Sequence, residues 1–307
     1  MSNARTFSRR FPATSANLGS GFDAAAVALN LFLEIDAQAA AEFSIHATGS
    51  DSEICSQLEG NLIFSVYRQT LADNGRPVTP LAIRMRNDIP LGMGCGSSAA
   101  GRLAAISMAA HIGELGWGPD RILEEACALE GHPDNAAACW LGGFVAASNE
   151  GRAVHVVRVE PPGAWRAIVV LPPESLATSK ARAILPASYS SADVVANIQA
   201  VSMLGLAFAH GRGDLLRIAM QDRIHQPYRA EICPMLPRLL PLSGSNGILG
   251  VSLSGAGPSV LVIIAGKSDI ASASEAILGA MHGLPEPRLL CCSFEYRGAK
   301  GSHLRRA

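Results

Sequence analysis

The chain reads as an α+β protein of two domains, and three observations carry that reading. Strand-like alternation and helical spacing interleave from end to end, with no internal repeat and no low-complexity segment. In the first half a glycine–serine loop runs from a strand directly into a helix. The second half shows the order β-α-α-β-β-α-β, which indicates an α+β unit of its own. The boundary is expected near Gly151, dividing the chain into 1–150 and 151–307.

The first strand, Thr6–Phe11, alternates polar and apolar residues and reads as an edge strand. A polar, glycine-bearing turn over Pro12–Asp23 follows, then apolar Val27–Ile35 and a strand over Phe43–Thr48. Asn61–Gly75 carries Ile63, Val66, Tyr67, Thr70 and Leu71 at helical spacing and ends in Asn74-Gly75. Leu81, Ile83 and Met85 alternate with Arg84 and Arg86 as a strand before the loop. Beyond it, Ala99, Ala100, Leu103, Ile106 and Ala110 fit one face of a helix. Pro119–Glu130 has Pro near its start and Ile122, Leu123, Ala126 and Leu129 on one face, and a short helix follows over Pro133–Leu141.

In the second half, Ala153–Val159 and Ala167–Leu171 read as strands on either side of a Pro-Pro-Gly turn. Helices are expected over Ala192–His210 and Asp214–His225, then a proline-rich connection over Cys233–Pro241. Strands Ile248–Leu253 and Val260–Ala265 flank a second glycine loop, Ser254-Gly255-Ala256-Gly257-Pro258. A helix over Ile270–His282 and a strand over Leu289–Tyr296 complete the pattern, and the tail Gly298–Ala307 is expected to be disordered.

Composition narrows the class. Across 307 residues, 49% hydrophobic against 17% charged describes a folded chain able to bury a sizeable core. Lys and Arg (25) nearly balance Asp and Glu (26), and the three arginines of Arg5–Arg10 are interrupted by Thr6, Phe7 and Ser8. Nucleic acid is therefore not an expected partner. No uninterrupted apolar stretch of membrane-spanning length is expected, and the first residues lack a signal-peptide core. Seven cysteines without framework spacing fit a reducing cytoplasm, and the adjacent Cys291 and Cys292 read as packing residues. The pattern does not specify an oligomeric state and leaves a homodimer open.

The chemistry starts at the loop Pro90, Leu91, Gly92, Met93, Gly94, Cys95, Gly96, Ser97 and Ser98. Glycines let backbone approach a ligand, and the free N–H groups and positive dipole end of the following helix attract an anion. Ser97 and Ser98 add hydroxyls where a phosphate or its metal would lie. No Lys follows the last glycine as in a Walker A loop, and no third glycine falls at Rossmann spacing. The alternative is a tight strand-to-helix turn capped by Ser97. In the first turn, Asn17 and Asp23 offer an amide and a carboxylate to a polar substrate, against the plainer reading of a self-capped hairpin loop. A third cluster, Glu130-Gly131-His132-Pro133-Asp134-Asn135, places Asp134 and Asn135 at a helix start, where a carboxylate also complements the dipole. Glu130 offers the oxygen ligand that Mg²⁺ prefers, shared with Ser98 and phosphate oxygens.

Taken together, P-x-x-S-A-N-L-G-x-G-F-D from Pro12, P-x-x-x-G-x-G-S-S-A-A from Pro90 and S-G-x-G-P-S from Ser254 resemble, in order and spacing, the three signature motifs of the GHMP kinases. The resemblance spans Pro12 to Ser259 and beyond. Three further segments are similar to the branch of that family that acts on L-homoserine: Glu130–Asn135, Thr178–Pro186 (T-x-x-A-R-x-x-L-P) and Pro227-Tyr228-Arg229.

The resemblance implies ATP and Mg²⁺, with transfer of the γ-phosphoryl to the homoserine hydroxyl. It implies a substrate pocket of Asn17, Asp23, His132, Asp134, Asn135, Thr178, Arg182, Arg229 and Gly255, with both arginines on the substrate carboxylate and Asp23 near its ammonium. Asn61 would lie on the adenine side, Pro90 to Ser98 would wrap the phosphates, and Ser98 with Glu130 would hold the metal. Asn135 would orient the hydroxyl, with Asp134 as the alternative base. Cys95 stands where the family usually has Leu.

The implied fold is a ribosomal protein S5 domain 2-like N-terminal half, with a left-handed βαβ crossover, and a ferredoxin-like C-terminal half. Competing readings are a mevalonate-type small-alcohol kinase and a catalytically inactive nucleotide-binding sensor.

Overall fold

The structure, a computed structural model, describes residues 6–176 and 178–302, Thr178 by its backbone alone. β1 (Thr6–Asn17), β2 (Gly21–Ala39), β3 (Ser44–Gly49), β4 (Leu81–Asn87), β5 (Phe144–Glu150) and β6 (Ala153–Val159) form one sheet, in the order β3-β4-β2-β5-β6 with β1 on β2. All pairs are antiparallel except β3–β4, which are linked through α1 (Ser52–Cys55) and α2 (Leu62–Asp73). α3 (Ser97–Ile112), α4 (Pro119–Glu130) and α5 (Asp134–Leu141) complete this half. α3 is buried over most of its circumference, not along one face. Its alanines and Gly101 are small enough for neighbouring elements to close on several sides.

Gly151 is a turn rather than a domain junction. With φ near +61° it turns a two-residue hairpin that pairs β6 with β5 along its length. Residues 153–159 therefore belong to the first sheet, and the change of sheet falls after Val159, at Glu160–Gly163, instead of at 150/151.

The second sheet, in the order β10-β7-β9-β8, comprises β7 (Arg166–Leu171), β8 (Ile248–Leu253), β9 (Val260–Ile264) and β10 (Arg288–Cys292). Its two faces serve two cores. Ala167, Val169 and Leu171 join the large first core, together with Leu204 and Phe208 of α7 (Ser191–His210). Ile168 and Val170 face α10 (Met235–Leu239) and α11 (Ile270–Ala280). The period-2 alternation of a strand thus welds the halves together.

Several expected elements change. The helix expected over Asp214–His225 breaks into a 3₁₀ turn, a four-residue α8 (Leu216–Ala219), an irregular turn and α9 (Gln226–Arg229), with α6 (Thr178–Ala183) lying earlier in the chain. The cause is Asp222, whose carboxylate accepts the N–H groups of Ile224, His225 and Gln226 and so competes with the helix. The expected connection over Cys233–Pro241 is itself helical (α10 and a 3₁₀ turn), because its apolar residues dock on the second core. β1 runs on through Asn17, so the first motif's turn shrinks to Leu18–Ser20.

Cys292 is buried and Cys291 exposed at the end of β10, beyond which only Phe294 bridges to Leu29. The tail is ordered at least to Ser302, whose hydroxyl donates to the Arg10 carbonyl while Ala299 is buried; residues 303–307 lie outside the described residues. α7 is long and apolar enough to cross a membrane by length and composition, with mean hydropathy 1.5, although Asp193, Asn197 and Gln199 interrupt its apolar run. Its inner face (Ala200, Leu204, Ala207, Phe208) packs into the large core.

Candidate active site

The site forms where α3, α4 and α5 present their ends to the cleft between the sheets. Gly92, Gly94 and Gly96 all take φ near +70°, a backbone that side chains resist. A Cβ on Gly94 would overlap the Ser254 carbonyl, and one on Gly96 would overlap the Thr14 hydroxyl. The loop is pinned from both halves: Thr14 N–H donates to the Cys95 carbonyl, and Ser254 Oγ donates to Gly94 O at 2.8 Å. α3 then begins at Gly96 in the left-handed region with no side-chain cap, so the capping role considered for Ser97 is not taken. Its N-terminal N–H groups and dipole are left for an anion.

Two cavities meet at this helix start. One of about 210 Å³ is lined by Asn17, Asp23, His132, Asp134, Asn135, Arg182, Arg229 and Gly255, with Gly92, Gly94, Gly96, Ser97, Ser98 and Glu130. The other, of about 310 Å³, is mostly apolar and carries Asn61 and Leu91 beside Ser97 and Ser98. The expected residues therefore converge, with exceptions. Pro90, Met93 and Cys95 line neither cavity; the Cys95 side chain is buried, and only its backbone serves the loop. Thr178 opens α6, but its side chain lies outside the described residues. Asn61 caps α2, accepting from Ile63 N–H and donating to Gln57 O, so its amide is already engaged.

Charges in the smaller cavity are paired with one another. Arg182 and Asp23 form a two-pronged ion pair, both bonds at 2.9 Å, which raises the Arg182 pKa. Arg229 is buried; its Nε donates to Ala181 O and its Nη1 to His225 Nδ1 and Gly255 O. Burial, and then the Arg182 charge, lower the Arg229 pKa. Both guanidiniums lie over the Phe22 ring, with Cζ 5.7 and 5.3 Å from its centroid. Asn17 donates to Gly255 O and accepts from Asp23 N–H, so it shapes the pocket instead of offering a free amide.

Asp134 is buried, and its Oδ1 takes both His132 Nδ1 at 2.6 Å and the Asn135 N–H at 2.7 Å. Burial works against a charged His132, but that hydrogen bond and the charges of Asp134, Asp23 and Glu130 outweigh it and raise the His132 pKa. Asn135 Oδ1 accepts from the Thr14 hydroxyl at 2.6 Å. Ser98 Oγ donates to Glu130 Oε1 at 3.0 Å, an oxygen pair suited to a hard cation. Asp23, His132 and Asp134 also bring ligand atoms within 4.8 Å of one another.

Four participants escape the sequence reading. Arg102 pairs with Glu130 and donates to Ser98 Oγ at 2.9 Å; it lies one helical turn after Ser98, a signal that spacing holds. Thr14 and Phe22 sit inside the first motif, and Phe22 stacks on His225 at 5.1 Å. His225 lies one turn before Arg229, and nothing in the sequence marks it as that arginine's acceptor.

A cleft that offers an uncapped helix start to phosphate, an apolar cavity on one side and a charged one on the other defines a small-molecule kinase. The model of the GHMP kinases N terminal domain matches residues 61–143, and that of the GHMP kinases C terminal matches 206–282. The chain belongs to the GHMP kinase family. Its relatives within that family are homoserine kinases, among them that of Solibacter usitatus, 42% identical over 83% of this chain and 84% of that one. The Moorella thermoacetica homoserine kinase is 38% identical over 84% and 87%. The same fold appears in a Cytophaga hutchinsonii homoserine kinase crystal structure (TM-score 0.81, 24% identity, 97% and 98% covered). It also appears in L. major mevalonate kinase in complex with R-mevalonate (TM-score 0.73, 15% identity, 96% and 98% covered).

Proposed function

We propose that this cleft carries out the reaction of the chain's homoserine kinase relatives, ATP-dependent phosphorylation of the side-chain hydroxyl of L-homoserine, a step of threonine biosynthesis. The observation that carries the reading is the 210 Å³ cavity, which places Arg182, Arg229 and Asp23 beside the uncapped start of α3. An amino acid replaces the internal ion pair: its carboxylate draws Arg182 and the buried Arg229, and its ammonium takes Asp23. The apolar cavity beside Asn61 suits adenine, with the loop Gly92–Ser98 on the phosphates.

Phosphoryl transfer through a loose transition state requires in-line positioning and charge neutralisation more than a strong base. Asn135, held by Thr14 and by the Asp134 carboxylate at its N–H, orients the acceptor hydroxyl. Asp134 spends Oδ1 on His132 and Asn135, which fits a positioning role. Ser98 and Glu130 would hold Mg²⁺, which neutralises charge on the phosphates, and Arg102 holds Glu130 in place. All seven cysteines are free, in keeping with a reducing cytoplasm.

The test is a coupled assay of ADP production with homoserine, threonine, serine and mevalonate as acceptors. Homoserine is expected to give the highest kcat/KM. Faster turnover of mevalonate would overturn the acceptor assignment, and tight ATP binding with no ADP from any acceptor would indicate an inactive nucleotide sensor. Loss of turnover in Asp134→Asn with substrate binding intact, together with activity in Asn135→Asp, would make Asp134 the base.

A further inference from the structure

A second cavity, of about 530 Å³, lies at the opposite ends of the helices that build the active site. α3 starts in the cleft at Ser97 and brings Ser107 to this cavity; α4 ends in the cleft at Glu130 and starts here at Pro119; α5 starts there at Asp134 and delivers Trp140 here. Ser97 and Ser107 stand roughly 15 Å apart along the helix axis. The cavity is therefore separate from both the nucleotide and the acceptor pockets.

Its chemistry is unmet. Five buried side-chain polar atoms lack a hydrogen-bond partner among the described residues, and three of them belong to residues that line this cavity: Arg9 Nε, Ser107 Oγ and Trp140 Nε1. Ser107 is 3% exposed and Trp140 1%, so bulk water does not serve them. All three can donate, and burying a donor without a partner is unfavourable. Arg9 is held in place by aromatic rings, its Cζ lying 5.2 Å from the Trp140 centroid and 5.9 Å from that of Phe7. Among the described residues no carboxylate lines the cavity, and burial lowers the Arg9 pKa. Lys300 adds a second cation at the mouth, 3.7 Å from an Asp120 that is itself almost fully exposed. The rest of the wall carries apolar Phe7, Trp117 and Ile122 beside the polar Thr6, Ser8 and His111.

We infer that this cavity binds a small amphipathic carboxylate, its oxygens accepting from Arg9, Ser107 and Trp140 and its apolar part lying against Phe7, Trp117 and Ile122. The donors require an acceptor, Arg9 requires an anion, and the apolar wall requires more than an inorganic ion. Since α3, α4 and α5 run from this cavity to the phosphate loop, Glu130 and Asn135, the site is placed to report to the cleft.

Two of the three tryptophans, Trp117 and Trp140, line the cavity, so their fluorescence reads occupancy directly. The probes are 3-phenylpropionate, its neutral analogue 3-phenylpropan-1-ol and inorganic phosphate, each titrated with ADP and homoserine saturating so that the cleft is filled without turnover. Phenylpropionate is expected to give a saturable change with a Kd below about 1 mM. The alcohol and phosphate should each bind at least about tenfold more weakly, because each lacks half of the complement. Arg9→Gln is expected to weaken the carboxylate by about tenfold or more, and Ser107→Ala, which leaves the packing intact, by a few-fold.

Equal binding of acid and alcohol would reduce the site to an apolar groove, and equal binding of phosphate to a plain anion site; either overturns the proposal. So does the absence of saturation. If Arg9→Gln fails to fold, unchanged carboxylate affinity in both Ser107→Ala and Lys300→Gln overturns it as well.

Discussion

Arg182 and Asp23 hold each other through two 2.9 Å bonds at a partly exposed position, so the pair contributes little to stability, about 0–1 kcal/mol. Under the proposed function, its value lies in what replaces it when an amino acid enters. Arg182→Gln is expected to raise the KM for homoserine by about 10- to 100-fold while the melting temperature barely moves, since a charge-assisted bond to substrate contributes about 1.5–3 kcal/mol. Steady-state kinetics beside thermal melts check this, and a KM unchanged within error would remove Arg182 from the carboxylate. Arg229 differs because it is buried and bonded to Ala181, His225 and Gly255. Its truncation should cost both KM and stability. For Asn135, Asn135→Ala is expected to lower kcat about 100-fold through loss of hydroxyl alignment, with KM for ATP little changed.

At the scale of elements, the loop and α9 carry separate predictions. Gly94 sits at φ +72° against the Ser254 carbonyl, so Gly94→Ala adds a backbone strain and a clash with main chain that cannot move aside. A loss of at least about 2 kcal/mol is expected, with ATP affinity falling as well; calorimetry and nucleotide titration measure both.

α9 couples acid to structure. His225 is fully buried between Gly19 O, Arg229 and Asp222, and burial pushes its pKa down to about 4. The unfolded chain therefore binds a proton at His225 that the folded chain refuses, and this contribution to stability is intact above about pH 6.5 and lost as pH falls towards 4. His132, raised by Asp134, titrates with the opposite sign: its stabilisation is present at low pH and lost as pH rises through its folded pKa. Comparing melting temperatures between pH 7.5 and 5 in the wild type and in His225→Gln isolates the first effect, because the variant should lose less on acidification.

At the scale of the whole molecule, the contacts between the halves are those of one cooperative body. The first sheet's core continues onto one face of the second sheet, and the cleft is crossed by hydrogen bonds from Asn17 to Gly255, Ser15 to Ser254 and Ser20 to Ala219. A single thermal transition is expected, with the domains unable to melt separately. ATP at 100 times its Kd should raise stability by about 2.7 kcal/mol. Two resolved transitions in a calorimeter, with ATP moving only one, would contradict the shared core.

The limits of reading follow the range of the forces involved. Helical spacing, Pro119 at a helix start and the Asn74-Gly75 stop are local, so α2 and α4 match their expected spans within a residue or two. The glycines of the loop declare themselves because only glycine tolerates their backbone, and the motif order carried the family. Gly151 looked like a domain junction and is a hairpin turn, since strand pairing is decided by a partner and not by the strand. Asp214–His225 looked helical until Asp222 took three backbone N–H groups, a competition invisible in periodicity.

By itself, then, the sequence determined most of the elements, the glycine loop and the residue types of the proposed acceptor pocket, because those rest on local backbone chemistry. Only the tertiary structure decided that Arg182 is held by Asp23, that Arg102 sits on Glu130, and that His225 must stay neutral behind Arg229. It alone brought Arg9, Ser107 and Trp140 together with their hydrogen bonds unmade. Each of these is a contact between side chains from different elements or a consequence of burial, and burial exists only once the chain has closed on itself.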